Sequence, residues 1–346
     1  MAQLSSWVNC YAARGGSDAG RATIDLQPLN GDAGFRRYFR PQPPCGLLAV
    51  HAPPDREKVA EFVSIDLLLL RHGVAVPAIY AVDFQRGFLL IEDFGAQQML
   101  NALNAESVSR LYQAALNEML RMQRIGPSEL ADIAPYNAQL LCDEMVLFAD
   151  WFVGKLLGKL LTEAEQALLN EVFDLLIQSA VAQPQAFVHR DFHSRNLMLA
   201  DDGRLGVIDF QDGVVGPVTY DAVSLLRDCY VRWPQQEVAA WFADLRETAI
   251  GEGVWPDYPL ARYQQWFDWM GLQRHIKVLG IFARLYLRDG KPGYLNDLPL
   301  VLRYVLEVSE GYRELTPFRD WLVGVILPLA KQQPWYRDWQ VAGAAP

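Results

Sequence analysis

The sequence has few cysteines and no excess of basic residues. Its 346 residues include four cysteines, Cys10, Cys45, Cys142 and Cys229, which lie far apart and form no C-x-x-C pair. This usage disfavours a zinc site and a disulfide framework, and it predicts reduced thiols. Lysine and arginine number 31 against 41 aspartate and glutamate, a net charge of −10. We expect no nucleic-acid partner, because such sites need a positive field.

Long hydrophobic segments are also missing. The longest apolar stretches, such as Trp321–Ala330, are too short to cross a bilayer, and residues 1–14 lack a basic start followed by an apolar stretch. These features predict a cytoplasmic protein with no membrane partner, and we expect a monomer. The composition itself, 51% hydrophobic and 21% charged, is typical of a folded globular chain.

The spacing of hydrophobic residues changes along the chain and predicts an α+β, two-lobed fold. Residues 1–94 indicate a small β-rich lobe in the order β-β-β-α-β-β, whose helix follows Pro53-Pro54-Asp55 and stops at His72-Gly73. Residues 95–346 indicate a larger, mostly helical lobe. The predicted strands of the first lobe are Ile24–Leu29, Phe35–Arg40, Leu47–His51, Ile79–Phe84 and Phe88–Glu92. The predicted helices of the second are Val108–Arg124, Asn137–Leu157, Glu163–Ala182, Tyr220–Arg232, Val238–Ile250, Tyr263–Arg288 and Leu295–Tyr312.

Three apolar pieces within residues 186–210 interrupt the helical pattern and predict a buried hairpin with polar edges. These edges carry His189-Arg190-Asp191, then Asn196, then Asp209 after the last apolar piece. A carboxylate followed five residues later by an asparagine and then by a strand-borne aspartate suits phosphoryl transfer from a nucleotide. Asp191 can accept the proton of an attacking hydroxyl, and Asn196 and Asp209 offer oxygen ligands to Mg²⁺. Single residues of this kind are often helix caps or turn residues, but the combined spacing favours catalysis.

On these residues the sequence resembles the aminoglycoside phosphotransferase superfamily, the small-molecule relatives of the protein kinases. The resemblance implies the two-lobed kinase-like fold, ATP and Mg²⁺ as cofactors, Asp191 as catalytic base and Asn196 and Asp209 as metal ligands. It also matches Asp221, in the segment Gly216-Pro217-Val218-Thr219-Tyr220-Asp221, to a structural aspartate that ties the catalytic loop down.

The resemblance also suggests how the first lobe binds the nucleotide. The segment from Leu90 to Gly95 falls where this fold has its hinge, so Glu92 and Phe94 are expected beside the adenine. The turn carrying Gly31 and Gly34 is expected to cover the phosphates with backbone N–H groups. An ordinary strand and an ordinary hairpin turn would produce the same two patterns.

One departure from the superfamily is the third strand, Leu47–His51, which carries no lysine for the phosphates. Another cation must replace it, or the enzyme works without one. Arg36 and Arg37 point to opposite sides of the second strand, and Arg37 is the expected substitute. Glu61, on the following helix, is either the acid that orients this cation or a solvated surface residue.

A stripe of basic residues follows one face of the helix predicted over Tyr263–Arg288. It comprises Arg274, Lys277, Arg284 and Arg288, interrupted by Ile281. Charge runs on helices usually face water, so a solvated face is one reading. The other is a cationic wall that binds an anionic sugar, with Arg274, Lys277 and Arg284 contacting the substrate.

The segment from Trp269 to Leu295, together with Val215–Asp228 and Asp150-Trp151-Phe152, resembles the bacterial anomeric amino-sugar kinases of cell-wall recycling. That resemblance implies ATP-dependent phosphorylation of the anomeric hydroxyl of N-acetylmuramate and N-acetylglucosamine, in peptidoglycan recycling. A uridylyltransferase would then use the sugar 1-phosphate. The alternatives are a kinase of aminoglycosides or of another small-molecule hydroxyl and, given the missing lysine, a nucleotide-binding regulator without turnover.

Overall fold

The computed structural model describes residues 2–14, 24–29 and 35–343. The chain forms two compact units, of which the first comprises Met1–Asn101 with Arg195–Gln211 and the second Ala102–Ser194 with Asp212–Pro346. The expected division at residue 94 placed residues 195–211 with the helices. In the structure this segment belongs to the first unit.

The first unit is built on a five-stranded antiparallel sheet in the order β1-β2-β3-β5-β4. Its strands are β1 (Asp25–Pro28), β2 (Arg37–Gln42), β3 (Leu47–His51), β4 (Ile79–Asp83) and β5 (Phe88–Glu92). The helix α2 (Val59–Arg71) lies between β3 and β4, as predicted. An additional helix, α1 (Ala2–Arg14), was not predicted. Leu4 and Val8 of α1 pack with Phe39, Ala49 and Phe88 of the sheet, so α1 covers one face.

Residues 195–211 attach to the first unit by backbone hydrogen bonds and by close packing. Their hairpin, β7 (Leu197–Leu199) with β8 (Leu205–Val207), bonds through Val207 N to Ala75 O at 2.7 Å. A Cβ on Gly206 would lie 2.4 Å from the Phe94 ring, so only glycine permits this contact. The predicted three-piece hairpin is therefore wrong in part. Its first piece, β6 (Gln185–Val188), pairs in the second unit with β9 (Val214–Pro217).

The second unit is mostly helical. Its helices are α3 (Val108–Gln123), α4 (Ala138–Leu147), continued by a π-helical segment (Phe148–Leu156), α5 (Glu163–Val181), α6 (Tyr220–Leu226), α7 (Gln235–Gly251), α8 (Leu260–Asp289), α9 (Leu298–Glu310), α10 (Thr316–Trp321) and α11 (Leu327–Ala330). The predicted helix Tyr220–Arg232 ends early, at Leu226. Asp228 instead accepts hydrogen bonds from Ser194 N and Tyr230 N, which draws the chain out of helical geometry.

The long helix α8 organises this unit, because it packs against both α4 and the π-helical segment that continues α4. The approach is close at Gly280, where a Cβ would lie 2.3 Å from the carbonyl carbon of Leu147. The absence of a side chain thus lets α8 lie directly against the backbone of its neighbour. Within the described residues, no helix has the length and apolar character needed to span a membrane.

Candidate active site

The loop after β6 carries Asp191, and a buried carboxylate fixes its backbone. Asp221, at the start of α6, accepts hydrogen bonds from His189 N at 2.7 Å and from Arg190 N at 3.1 Å. Arg190 has a φ of 74°, a left-handed conformation that is costly for a residue with a side chain. Asp221 is fully buried, and burial raises its pKa to about 6 against the effect of these donors. These contacts agree with the predicted structural role of Asp221.

Asp191 lies half-buried among positive charges. Burial alone would raise the pKa of its carboxyl, but Lys277, His193 and Arg190 outweigh burial and hold the pKa below its ordinary value. Asp191 is therefore ionised at neutral pH, as a general base must be.

A buried ion cluster holds two of these cations in place. Glu144 on α4 forms an ion pair with Lys277 Nζ at 3.0 Å and another with Arg190. Lys277 Nζ also donates a hydrogen bond to the Tyr220 hydroxyl at 3.0 Å, and Tyr136 donates one to Glu144. Burial would raise the pKa of Glu144, but Lys277 and Arg190 lower it below its usual value.

A second buried cluster lies where the loop ends. Asp228 accepts two hydrogen bonds from Ser194, one from the backbone N at 2.9 Å and one from Oγ at 2.5 Å. Arg274 of α8 donates to Cys229 Sγ at 3.2 Å. Asp228 and Arg274 are both buried. Asp228 thus binds the end of the Asp191 loop, and the next residue, Cys229, contacts α8 through Arg274.

The predicted basic stripe of α8 divides into different environments. Arg274 and Lys277 are 3% and 5% exposed, so the solvated-face reading is wrong for them. Arg288 is exposed and bonds its neighbour Asp289, as a solvated face would require. Arg284 is half-buried, and its Nε is buried without a hydrogen-bond partner in the described part of the chain.

A row of aromatic rings runs from the Asp191 loop across the second unit. The His193 ring contacts Tyr230 at a centroid distance of 5.4 Å, Tyr230 contacts Phe282 of α8 at 6.3 Å, and Phe282 contacts Tyr294 at 5.0 Å. His193, Tyr230 and Tyr294 are half-buried. The row therefore presents partly exposed aromatic surface beside the Asp191 loop.

The predicted metal ligands lie together in the first unit. Asn196 Nδ2 is 3.4 Å from Asp209 Oδ2, although the two residues are thirteen positions apart in the sequence. Asp209 is exposed and has a φ of 67°, the left-handed region, which turns it out of the strand direction. An amide oxygen and a carboxylate, both hard oxygen donors, fit Mg²⁺.

The arginine that reaches the Asp209 region is Arg36 and not Arg37, the one expected from the sequence. Arg37 is exposed and lies opposite His51 on β3. Arg36 instead donates from Nη1 to Gln211 Oε1 at 3.0 Å, and Gln211 Nε2 donates to Asp209 Oδ1 at 2.8 Å. The alternation of the two arginines was predicted correctly, but the side that faces Asp209 was not.

The acid that pairs with Arg36 also differs from the expected one. Glu57 Oε2 lies 3.2 Å from Arg36 Nη2, and Glu57 Oε1 accepts from Phe35 N at 3.0 Å. Glu61 is exposed, in agreement with its solvated reading.

The expected adenine-binding residues are engaged by protein contacts. The Glu92 side chain accepts from Arg204 at 2.7 Å and from Ala78 N at 3.2 Å, and the Glu92 backbone N donates to Ala78 O at 2.8 Å. Phe94 is 4% exposed, and its ring packs against Gly206. The expected phosphate-covering residues Gly31 and Gly34 lie outside the described residues.

Sequence reasoning missed Glu144 and Gln211, and it named Arg36 but preferred Arg37. Gln211 carries a local signal, because it follows Phe210 and Asp209, the predicted metal ligand. Glu144 carries none, since a single acid on an apolar helix acquires its partners only when α4 packs against α8.

Comparison with known proteins gives consistent matches. Residues 25–261 match the model of the family described as "Phosphotransferase enzyme family". Over 291 residues the chain is 44% identical to the N-acetylmuramate/N-acetylglucosamine kinase of Pseudomonas putida, covering 84% of this chain and 85% of that protein. The Pseudomonas aeruginosa protein of the same name is 39% identical, over 88% of this chain and 90% of its own length.

Among solved structures, an ethanolamine kinase of Plasmodium vivax superposes with a TM-score of 0.60 at 12% identity. The match covers 84% of this chain and 85% of that one. At this identity the likeness concerns the fold alone, and it confirms the predicted kinase-like α+β architecture.

Proposed function

The chain belongs to the phosphotransferase enzyme family, and from this premise we propose that it transfers the γ-phosphoryl group of ATP to the anomeric hydroxyl of N-acetylmuramate and N-acetylglucosamine. The names of the curated relatives support the choice of acceptor. The product would be a sugar 1-phosphate, and the reaction would serve the recycling of cell-wall amino sugars in the cytoplasm.

The observation that carries the proposal is the 3.4 Å approach of Asn196 to Asp209. These two residues would hold Mg²⁺, which neutralises charge on the nucleotide phosphates when it is bound. The nucleotide itself is proposed to bind to the first unit, near Glu92 and Phe94 and at Gly31 and Gly34.

Asp191 is the proposed catalytic base. The anomeric hydroxyl must lose its proton as its oxygen attacks the phosphoryl group, and the ionised carboxylate of Asp191 accepts that proton. Lys277 and Arg190 keep the carboxylate ionised. Asp221 holds the backbone of the two preceding residues, so the carboxylate enters the reaction already oriented.

The second unit is the proposed acceptor-binding unit. Partly exposed rings along the aromatic row offer apolar faces to a pyranose ring. Lys277, whose charge acts on Asp191, and Arg284, a half-buried residue of the same helix α8, favour a neutral or anionic acceptor. A polycationic aminoglycoside would meet charge repulsion at the same positions.

The proposal is tested by incubating the protein with ATP, Mg²⁺ and one acceptor at a time, and by following ³¹P and ¹H NMR. A new phosphate signal coupled to the anomeric proton is expected with N-acetylmuramate and with N-acetylglucosamine. The 1-O-methyl glycosides of both sugars are matched controls, because they lack only the reacting hydroxyl. Phosphorylation of a methyl glycoside, or of kanamycin in preference to both sugars, would reject the proposed acceptor.

A further inference from the structure

Arg36 precedes β2 and is almost fully enclosed by protein contacts. Its side chain is 9% exposed. Nη1 donates to Gln211 Oε1 at 3.0 Å, Nη2 pairs with Glu57 Oε2 at 3.2 Å, and the guanidinium lies over the Phe62 ring, 4.6 Å from its centroid. One face and two donor groups of the guanidinium are thus committed to the protein, and Glu57 balances its charge. This arrangement does not suit direct binding of a phosphate.

The contact with Arg36 fixes which way the Gln211 amide points. A guanidinium has only donors, so Gln211 must present its oxygen to Arg36. The NH₂ group then remains for the other side, where it donates to Asp209 Oδ1 at 2.8 Å. Arg36 therefore determines that Asp209 receives a hydrogen-bond donor from Gln211 rather than facing a second acceptor.

An apolar contact joins the same two parts of the first unit. The Phe62 ring beneath Arg36 stacks on the Phe210 ring, with centroids 5.0 Å apart and planes inclined by 23°. Phe210 is fully buried and lies between Asp209 and Gln211 in the sequence. The stacking of Phe210 on Phe62 thus holds the neighbouring residue Asp209 in place. The left-handed backbone of Asp209 needs such support.

We propose that Arg36 is a positioning residue, which orients the Gln211 amide so that Gln211 holds the Asp209 carboxylate in place for the metal–nucleotide complex. The third strand, β3, lacks the lysine that the superfamily uses to bind the phosphates. In this chain the cation Arg36 does not contact the phosphates but supports the metal ligand Asp209. The inference rests on the proposed function, because it assumes that Asp209 binds Mg²⁺ with the nucleotide.

The test measures metal binding rather than turnover. Mn²⁺ replaces Mg²⁺, and its dissociation constant is measured by electron paramagnetic resonance in the presence of a non-hydrolysable ATP analogue. Arg36→Met, Gln211→Leu and the double variant are compared, with Arg71→Met as the control, an exposed arginine on α2. The analogue's affinity without metal is measured for each variant by calorimetry.

We expect each single variant to weaken Mn²⁺ binding about tenfold, and the double variant to be no weaker than either, because both substitutions break one relay. Affinity for the analogue without metal should stay unchanged. Additive effects in the double variant, or a loss of metal-free affinity in Arg36→Met alone, would overturn the relay and indicate direct phosphate contact. If Arg36→Met does not fold, Gln211→Leu decides alone: unchanged Mn²⁺ binding in it rejects the proposal.

This result is separable from the proposed function. Absence of sugar phosphorylation by the unaltered protein, together with the expected Mn²⁺ pattern, would reject the acceptor and leave the relay standing. Failure of the unaltered protein to bind Mn²⁺ with the analogue would reject both.

Discussion

Lys277 Nζ lies 3.0 Å from Glu144 Oε1, and both side chains are buried. An unpaired ammonium at this depth would lose its proton to avoid the cost of desolvation. Glu144 and the Tyr220 hydroxyl keep it charged, and the pKa of Lys277 is raised in spite of burial. The Glu144 pair is thus what makes a permanent positive charge available near Asp191.

Removing this charge should move the pH dependence of catalysis. Lys277 is the largest of the charges that lower the pKa of Asp191, so Lys277→Met should raise that pKa. Because the ionised form of Asp191 is the active base, the acidic limb of the kcat/KM profile should shift to higher pH. Arg288→Met, an exposed residue on the same helix, is the control. An unchanged acidic limb in a folded Lys277→Met protein would exclude this role.

Replacement of the base itself should abolish most turnover and leave nucleotide binding intact. Asp191→Asn keeps the size of the side chain but cannot accept the proton, and loss of a general base typically costs about 10²–10⁴-fold in rate. Turnover is measured together with ATP affinity. Near-normal turnover, or a parallel loss of ATP affinity, would contradict the assignment.

Chemistry carried by neighbouring residues was the most predictable part of this site. Asp191, Asn196 and Asp209 lie within nineteen residues, so their spacing alone indicates their joint use. Asp221 was identified through its match to a structural aspartate of the superfamily, and its hydrogen bonds from His189 N and Arg190 N agree with that role. The bounds of β3 and β5 were also predicted as they are observed, because each is a short apolar run enclosed by turn residues.

Features that depend on tertiary packing were not predictable in this way. The sequence shows that Arg36 and Arg37 face opposite sides, but not which side holds Asp209. The sequence also does not show that β6 pairs with β9 instead of with β7, the next strand along the chain. The strand β7 belongs to the first unit, whereas β6 and β9 belong to the second. The helix α1 did carry a signal, since Leu4, Trp7, Val8 and Tyr11 have the i, i+3, i+4, i+7 spacing of an amphipathic helix.

A buried carboxylate on α2 should reduce stability at neutral pH. Asp66 is fully buried, neither carboxylate oxygen has a partner within the described residues, and burial raises its pKa from 3.8 to about 7. The folded state therefore favours the protonated form. The cost of ionisation is absent below about pH 4, grows as pH rises, and is complete above about pH 7, where it reaches at most roughly 4 kcal/mol.

Asp66→Asn removes the titration and should cancel this pH dependence. The free energy of unfolding of the variant, relative to the unaltered protein, should rise by a few kcal/mol between pH 5 and pH 8. Urea denaturation at the two pH values measures it, and Asp66→Leu provides a second variant without a buried amide. If the stability difference between Asp66→Asn and the unaltered protein stays constant with pH, the pKa of Asp66 is not raised in the folded state.

The close approach at Gly280 predicts a strong effect of the smallest side chain. In Gly280→Ala the new methyl group would lie 2.3 Å from Leu147 C and 2.5 Å from Leu147 O, and these backbone atoms cannot move aside independently. We expect a loss of about 3 kcal/mol or more in unfolding free energy. Gly271→Ala on the same helix is the control, because its methyl group would meet side-chain atoms of Arg227 and Val223 at 3.4 Å. Equal stability of the two variants would contradict the close packing of α8.

The four cations on one face of α8 differ in whether their charged groups already have partners within the protein. Arg274 contacts Cys229, Lys277 pairs with Glu144, and Arg288 pairs with Asp289. Within the described residues Arg284 has neither an ion pair nor a hydrogen bond, and burial lowers its pKa, followed by repulsion from Arg288. A half-buried guanidinium with no anion in hydrogen-bonding contact gains most from an anionic ligand.

Of the three residues of the stripe expected to contact the substrate, sugar choice should therefore depend on Arg284. N-acetylmuramate carries a lactyl carboxylate that N-acetylglucosamine lacks, and a charge-assisted hydrogen bond contributes roughly 1.5–3 kcal/mol. Arg284→Gln should lower kcat/KM for N-acetylmuramate by about ten- to a hundredfold and leave N-acetylglucosamine within about twofold. Arg288→Gln, one turn further along the same face, should change neither. Equal losses for both sugars in Arg284→Gln would mean that Arg284 supports the helix or the phosphates and does not recognise the carboxylate.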